Sequence, residues 1–226
     1  MKADILFLLL AIALLWFPRQ SLRLGSIFKR KRRSDAERAT GDEPWRTREP
    51  GDPRVRMGEE FSKFRNYVDA LRAGVASVAL AGGWGIPPVL WVAEGASRNA
   101  GWSVIIIRSL ILIVGLLVQT VRYERRKFTF FPPIFFIAGL SLGLCEPAAA
   151  LSAFALIWAM HVMFTGAMSF LATYSVLIVG FGHLFARGGD LSAVLAGILC
   201  FTPVLLSLLS NRPLVTFSRK SSHSDR

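Results

Sequence analysis

Seven apolar runs punctuate this chain, and the connectors between them differ sharply in charge. Of 27 Lys and Arg residues, 22 fall in residues 18–66, residues 122–127 and the tail from residue 211. The alternate connectors and the N-terminus hold only Lys2, Arg98 and Arg187. Cationic connectors are retained in the cytoplasm, so such a bias sets the orientation of a polytopic membrane protein. The pattern predicts an all-α fold: a membrane bundle of about seven helices, N-terminus outside and C-terminus inside. Its expected organisation is a short membrane anchor at 1–17, a basic and largely disordered cytoplasmic linker at 18–57, a six-span domain at 58–210 and a basic cytoplasmic tail at 211–226.

Composition agrees with that class. The chain is 53% apolar with a mean hydropathy of +0.45, concentrated in runs too long and uniform for a soluble core. A net charge of +12 invites a nucleic-acid reading. The cations flank apolar runs, however, and have no aromatic sheet or zinc pattern beside them, so anionic headgroups are the expected partner and nucleic acid is not. Cys145 and Cys200 belong to different depths of the bundle, which argues against a disulfide or a metal site.

Residues 5–17 form a run of about 20 Å as a helix, shorter than the ~30 Å hydrocarbon core. Lys2 precedes it as in a signal peptide, but Pro18-Arg19-Gln20 follows rather than a small-residue cleavage site, so it reads as an uncleaved anchor. An interfacial stretch, Leu22 to Phe28, then meets Lys29, Arg30, Lys31, Arg32 and Arg33, a patch suited to anionic lipid or to stopping transfer. Residues 34–57 have few large apolar side chains to offset chain entropy and read as disordered.

A helix restarts near Gly58, with Glu59 and Glu60 at its positive end. Phe61, Phe64, Val68, Leu71 and Val75 recur at helical steps, an amphipathic stripe that leads into the second span, near residues 68–86. Ala73, Ser77, Ala81 and Gly85 lie four apart, a small-residue face that lets another helix approach. Gly82-Gly83-Trp84-Gly85-Ile86-Pro87-Pro88 should break that helix. Further spans are expected at 102–121, 128–144, 148–164, 168–186 and 191–210. The fourth carries Gly139 and Gly143 at packing spacing, and the seventh carries Pro203.

Chemistry-bearing residues are scarce. Arg108 interrupts an apolar run, and charge within a bilayer is costly. It either snorkels to the outer headgroups or joins a polar cluster with Glu94 and Glu146. His161 and His183 are on adjacent spans but towards opposite ends, which excludes a shared haem iron in one chain. There is no H-E-x-x-H, G-x-S-x-G or paired acidic motif, so no catalytic, cofactor or metal residue is assigned, and the balance leans against an enzyme without deciding it. Two function classes follow. The first is a non-catalytic accessory or assembly subunit of a membrane complex, in a bacterial cytoplasmic (inner) membrane, packed against other subunits. The second is a small transporter or channel using the broken second span. An intramembrane enzyme is a remote third.

The orientation is testable. A reporter active only in the periplasm should work when fused after Arg98 or Gly189 and be silent after Lys127 or Arg226. The reverse pattern overturns it.

Overall fold

The computed structural model describes residues 2–18, 55–82, 86–92, 98–124, 127–185, 191–212 and 214. Expectations for the linker core and for Lys29, Arg30, Lys31, Arg32, Arg33, Gly85 and Glu94 lie outside these residues. The described chain is mostly helical. Its helices are α1 (Ile5–Trp16), α2 (Met57–Phe61), α3 (Phe64–Ala81), α4 (Arg98–Thr120), α5 (Ile134–Leu144), α6 (Pro147–Ala159), α7 (Ala167–Phe185) and α8 (Leu191–Leu209).

Among the described residues, three helical segments are long and apolar enough to cross a membrane: Gly101–Thr120 within α4, α7 and α8. The apolar helices α1, α5 and α6 have 12, 11 and 13 residues, about 16–20 Å at helical rise. The helix α3 has 18 residues but carries Arg65, Asp69 and Arg72.

Two small antiparallel ribbons join segments that lie between the helices. In one, β1 (Lys2–Ala3) pairs with β2 (Leu90–Trp91), Lys2 opposite Trp91 and Ala3 opposite Leu90. In the other, β3 (Val121–Glu124) pairs with β4 (Lys127–Phe130), and Phe130 forms a parallel bridge with Leu214.

Local chemistry explains the boundaries. Asp4 caps α1, its carboxylate accepting from the Phe7 N–H at 3.4 Å, and Pro18 denies the helix a further donor. Gly82 ends α3 at φ 77°, a left-handed conformation that suits a residue without Cβ. A Cβ there would also lie 2.8 Å from Pro88 Cδ. The fourth apolar run begins as strand rather than helix. Val121, Tyr123, Phe128, Thr129 and Phe130 favour a pleated surface, and Pro132-Pro133 delay the helix until Ile134, with Pro133 as its N-cap. Pro147 opens α6 at a position where a missing N–H is tolerated. That helix stops at Ala159, and a 3-10 turn, His161–Met163, follows.

Small residues set the closest helix crossings. A Cβ on Gly139 would meet the Ala70 carbonyl and lie 2.9 Å from Ala73 Cβ, while one on Gly143 would meet Ser77 Oγ and lie 2.5 Å from Val78 N. The backbones of α3 and α5 thus touch, and Ser77 Oγ donates to Gly139 O at 3.3 Å. On the other side of the bundle Ser175 Oγ donates to Gly197 O at 2.7 Å, joining α7 to α8. Between these pairs lie Phe136, Leu140, Phe170, Leu171, Tyr174 and Cys200, all buried. The stripe on α3 points away from this core: Phe64 and Leu71 are 78% and 70% exposed, whereas Asn66, Asp69, Arg72 and Ser77 are buried.

Overpacking a close crossing costs about 1–3 kcal/mol. Gly139→Val and Gly143→Val should therefore lower the melting temperature of the purified protein in detergent. Gly180→Ala, whose Cβ meets nothing within 4 Å, should leave it unchanged or slightly raised.

Candidate functional site

Two arrangements bring polar groups into the apolar bundle. The first surrounds Arg72, which is buried on α3. Its Nη2 lies 2.8 Å from Asp69 Oδ1, one helical turn earlier, and donates to Gln119 Oε1 of α4 at 2.8 Å. Its Nη1 donates to the carbonyls of Phe17 and, at 3.5 Å, of Leu14. Gln119 Nε2 donates in turn to Leu15 O at 3.0 Å and Phe17 O at 2.9 Å. The guanidinium also stands 5.4 Å from the Phe136 ring centroid, within cation–π range.

This network satisfies carbonyls that the C-terminal end of α1 leaves without intrahelical partners. A second tie fixes the same helix, since Trp16 Nε1 donates to Ile111 O at 3.1 Å. Nearby, Asn66 Nδ2 donates to Glu60 O at 2.7 Å and Glu60 Oε2 at 2.8 Å, holding α2 against the start of α3. Sequence reasoning missed Arg72, Asp69 and Gln119. The available signal was an opposite charge pair three residues apart within a helix entering an apolar run.

The second arrangement is a cavity of about 700 Å³ between the end of α3, the α5–α6 turn, α4 and α8. It contains both Arg108 and Glu146 in its wall, together with Ala81. Arg108 donates through Nη2 to Leu90 O and through Nη1 to Ala81 O at 3.4 Å. It is ten residues into α4, about 15 Å from that helix's start. So α3 and β2 end level with the middle of α4, and the cavity occupies the space that α3 leaves. Arg108 and Glu146 share this wall without forming an ion pair among the described residues. The cavity continues along α4 from Trp102 to Leu112, roughly 15 Å. Its walls are mainly apolar: Leu80, Ile105, Leu112, Leu144, Val194, Leu195 and Ile198 among them.

The remaining candidates are dispersed. Ala73 and Ser77 face Gly139 and Gly143 at the α3–α5 crossing. His161 Nδ1 is 2.7 Å from Trp158 O, beside an aromatic cluster of Phe61, Phe135, Phe154, Trp158 and Phe170. His183 lies in the last turn of α7, about 24 Å along that helix from Ala167. Among the described residues, no group of three or more His, Cys, Asp or Glu is placed to hold a metal ion. The chain matches no protein-family profile, no curated protein and no solved structure in the comparisons made.

Removing one partner of a buried ion pair strands the other, at a cost of about 3–5 kcal/mol. Arg72→Met should therefore sharply lower stability in detergent. Asp69→Asn combined with Arg72→Met should recover part of the loss, because no carboxylate is then left buried. Equal destabilisation in the single and double variants would show that carbonyl capping alone gives Arg72 its importance.

Proposed function

We propose that the chain is a multi-pass integral membrane protein of a bacterial cytoplasmic membrane, with seven spans, its N-terminus outside and its C-terminus inside. Three helices long and apolar enough to cross a membrane underlie the general class. The ribbons support the finer arrangement. Residues 2–3 lie beside residues 90–91, and Phe130 lies beside Leu214, the pairings expected if successive helices alternate in direction. In that arrangement the cationic connectors gather at the β3–β4 end, where anionic headgroups complement them.

Within that class, we infer a non-catalytic accessory or assembly subunit that packs against other membrane proteins. One observation carries the choice: the cavity reaches mid-depth, yet its walls are mostly apolar and its cation is tied to backbone carbonyls. A hydrated solute needs polar groups along its route. Towards the β3–β4 end, the interior is filled by the aromatic cluster and by the Arg72 network, whose polar groups are bonded to one another and to backbone carbonyls. The transporter reading draws on the same cavity, because it adjoins the interrupted end of α3, where such proteins expose backbone to substrate.

These readings separate in one preparation. Extracted from its native membrane in a mild detergent, the chain should migrate with another membrane protein at fixed stoichiometry. Reconstituted alone into sealed vesicles, it should produce no flux of ions or small solutes above protein-free vesicles. A monodisperse single species that conducts a selective flux would establish the transporter instead.

A further inference from the structure

The cavity at the end of α3 has no role in the subunit reading, and its construction is specific. We propose that it is a binding site for one membrane phospholipid, with an acyl chain along the apolar wall and the phosphodiester at Arg108. Its volume of about 700 Å³ is within the range of ligand pockets, ~300–1,000 Å³. The side of entry follows from the exposed members of its wall. Trp102, Leu191, Val194 and Ile198 are 50%, 55%, 44% and 57% exposed and apolar, and Glu146 is the exposed charged member of the wall. A mouth framed mainly by apolar side chains, with this one carboxylate at the α5–α6 turn, opens towards hydrocarbon; one meant for a dissolved metabolite would be rimmed with polar groups.

The depth of the cation gives the head its chemistry. Arg108 lies about 15 Å along α4, and its bonds to Ala81 O and Leu90 O use only part of the guanidinium's donor capacity. Its Nε is buried and has no hydrogen-bond partner among the described residues. A buried unsatisfied donor on a cation is costly, and a phosphate oxygen is an anionic acceptor whose geometry a planar guanidinium matches, as it does a carboxylate's. The first turn of α8, Leu191 and Ser192, borders the same space and adds backbone N–H groups of the same preference. The recess left by α3 allows the headgroup to sit below the ordinary interface while its chain remains among Leu112, Leu195 and Ile198.

The full-length protein, stripped of lipid by detergent exchange, is examined by native mass spectrometry and thermal melting with three probes. These are phosphatidylglycerol, a diacylglycerol with the same chains, and inorganic phosphate. Phosphatidylglycerol should add as one retained molecule and raise the melting temperature, while the other two do neither. Val194→Trp narrows the mouth without touching Arg108 or its carbonyl bonds. It should cut phosphatidylglycerol occupancy about tenfold, comparable with losing one charge-assisted hydrogen bond, and leave the lipid-free melting temperature unchanged. Arg108→Gln should cut occupancy at least as far. Equal retention of diacylglycerol removes the phosphate from the proposal, and a shift with inorganic phosphate alone makes the site one for a free anion. Undiminished occupancy in Val194→Trp overturns the site itself. None of these outcomes depends on whether a partner subunit exists.

Discussion

Helix ends inside an apolar bundle leave carbonyls that hydrocarbon cannot satisfy. That constraint governs this fold, because α1, α5 and α6 are each shorter than the ~30 Å core they would have to cross. At α1 the answer is a pair of side chains, Arg72 and Gln119, brought by two other helices to the carbonyls of Leu14, Leu15 and Phe17. At the end of α3 the answer is Arg108, which takes Ala81 O and Leu90 O. The first solution brings a carboxylate with it, since an isolated buried guanidinium is unfavourable and Asp69 lies one turn away. Both solutions place a cation where a sequence reader would expect only apolar side chains.

Much of the helical framework was legible because apolar runs and proline punctuation act locally. Pro18, Gly82, Pro133 and Pro147 all stand at helix boundaries. Strand pairing was not legible. The ribbon β1–β2 joins residues almost ninety apart, and no local pattern encodes so distant a partner. The hairpin β3–β4 was hidden by treating its aromatic residues as the entrance to a span, although Pro132-Pro133 divide them from the helix.

The site was legible in part. Arg108 announces itself as one charge among isoleucines, but its acceptors are carbonyls, which sequence does not label. Arg72 escaped notice because its partners Leu14, Phe17 and Gln119 lie 58, 55 and 47 residues away along the chain. In this bundle the apolar stripe of α3, with Phe64, Leu71 and Val75, is exposed, and its polar and small face is buried. A soluble protein would place these faces the other way round. The small residues matter for the same reason: where the surroundings are as apolar as the interior, close packing distinguishes inside from outside, and Gly139 and Gly143 provide it.

The position of α1 has a consequence for how the chain assembles. It precedes α3 and α4 in the chain, yet its strand partner is at residues 90–91 and its carbonyl donors are at residues 72 and 119. Trp16 likewise waits for Ile111. The helix α1 therefore acquires these hydrogen bonds only once α3, β2 and α4 are in place. For α1, chain order and docking order differ: it comes before α3 and α4 and docks onto both.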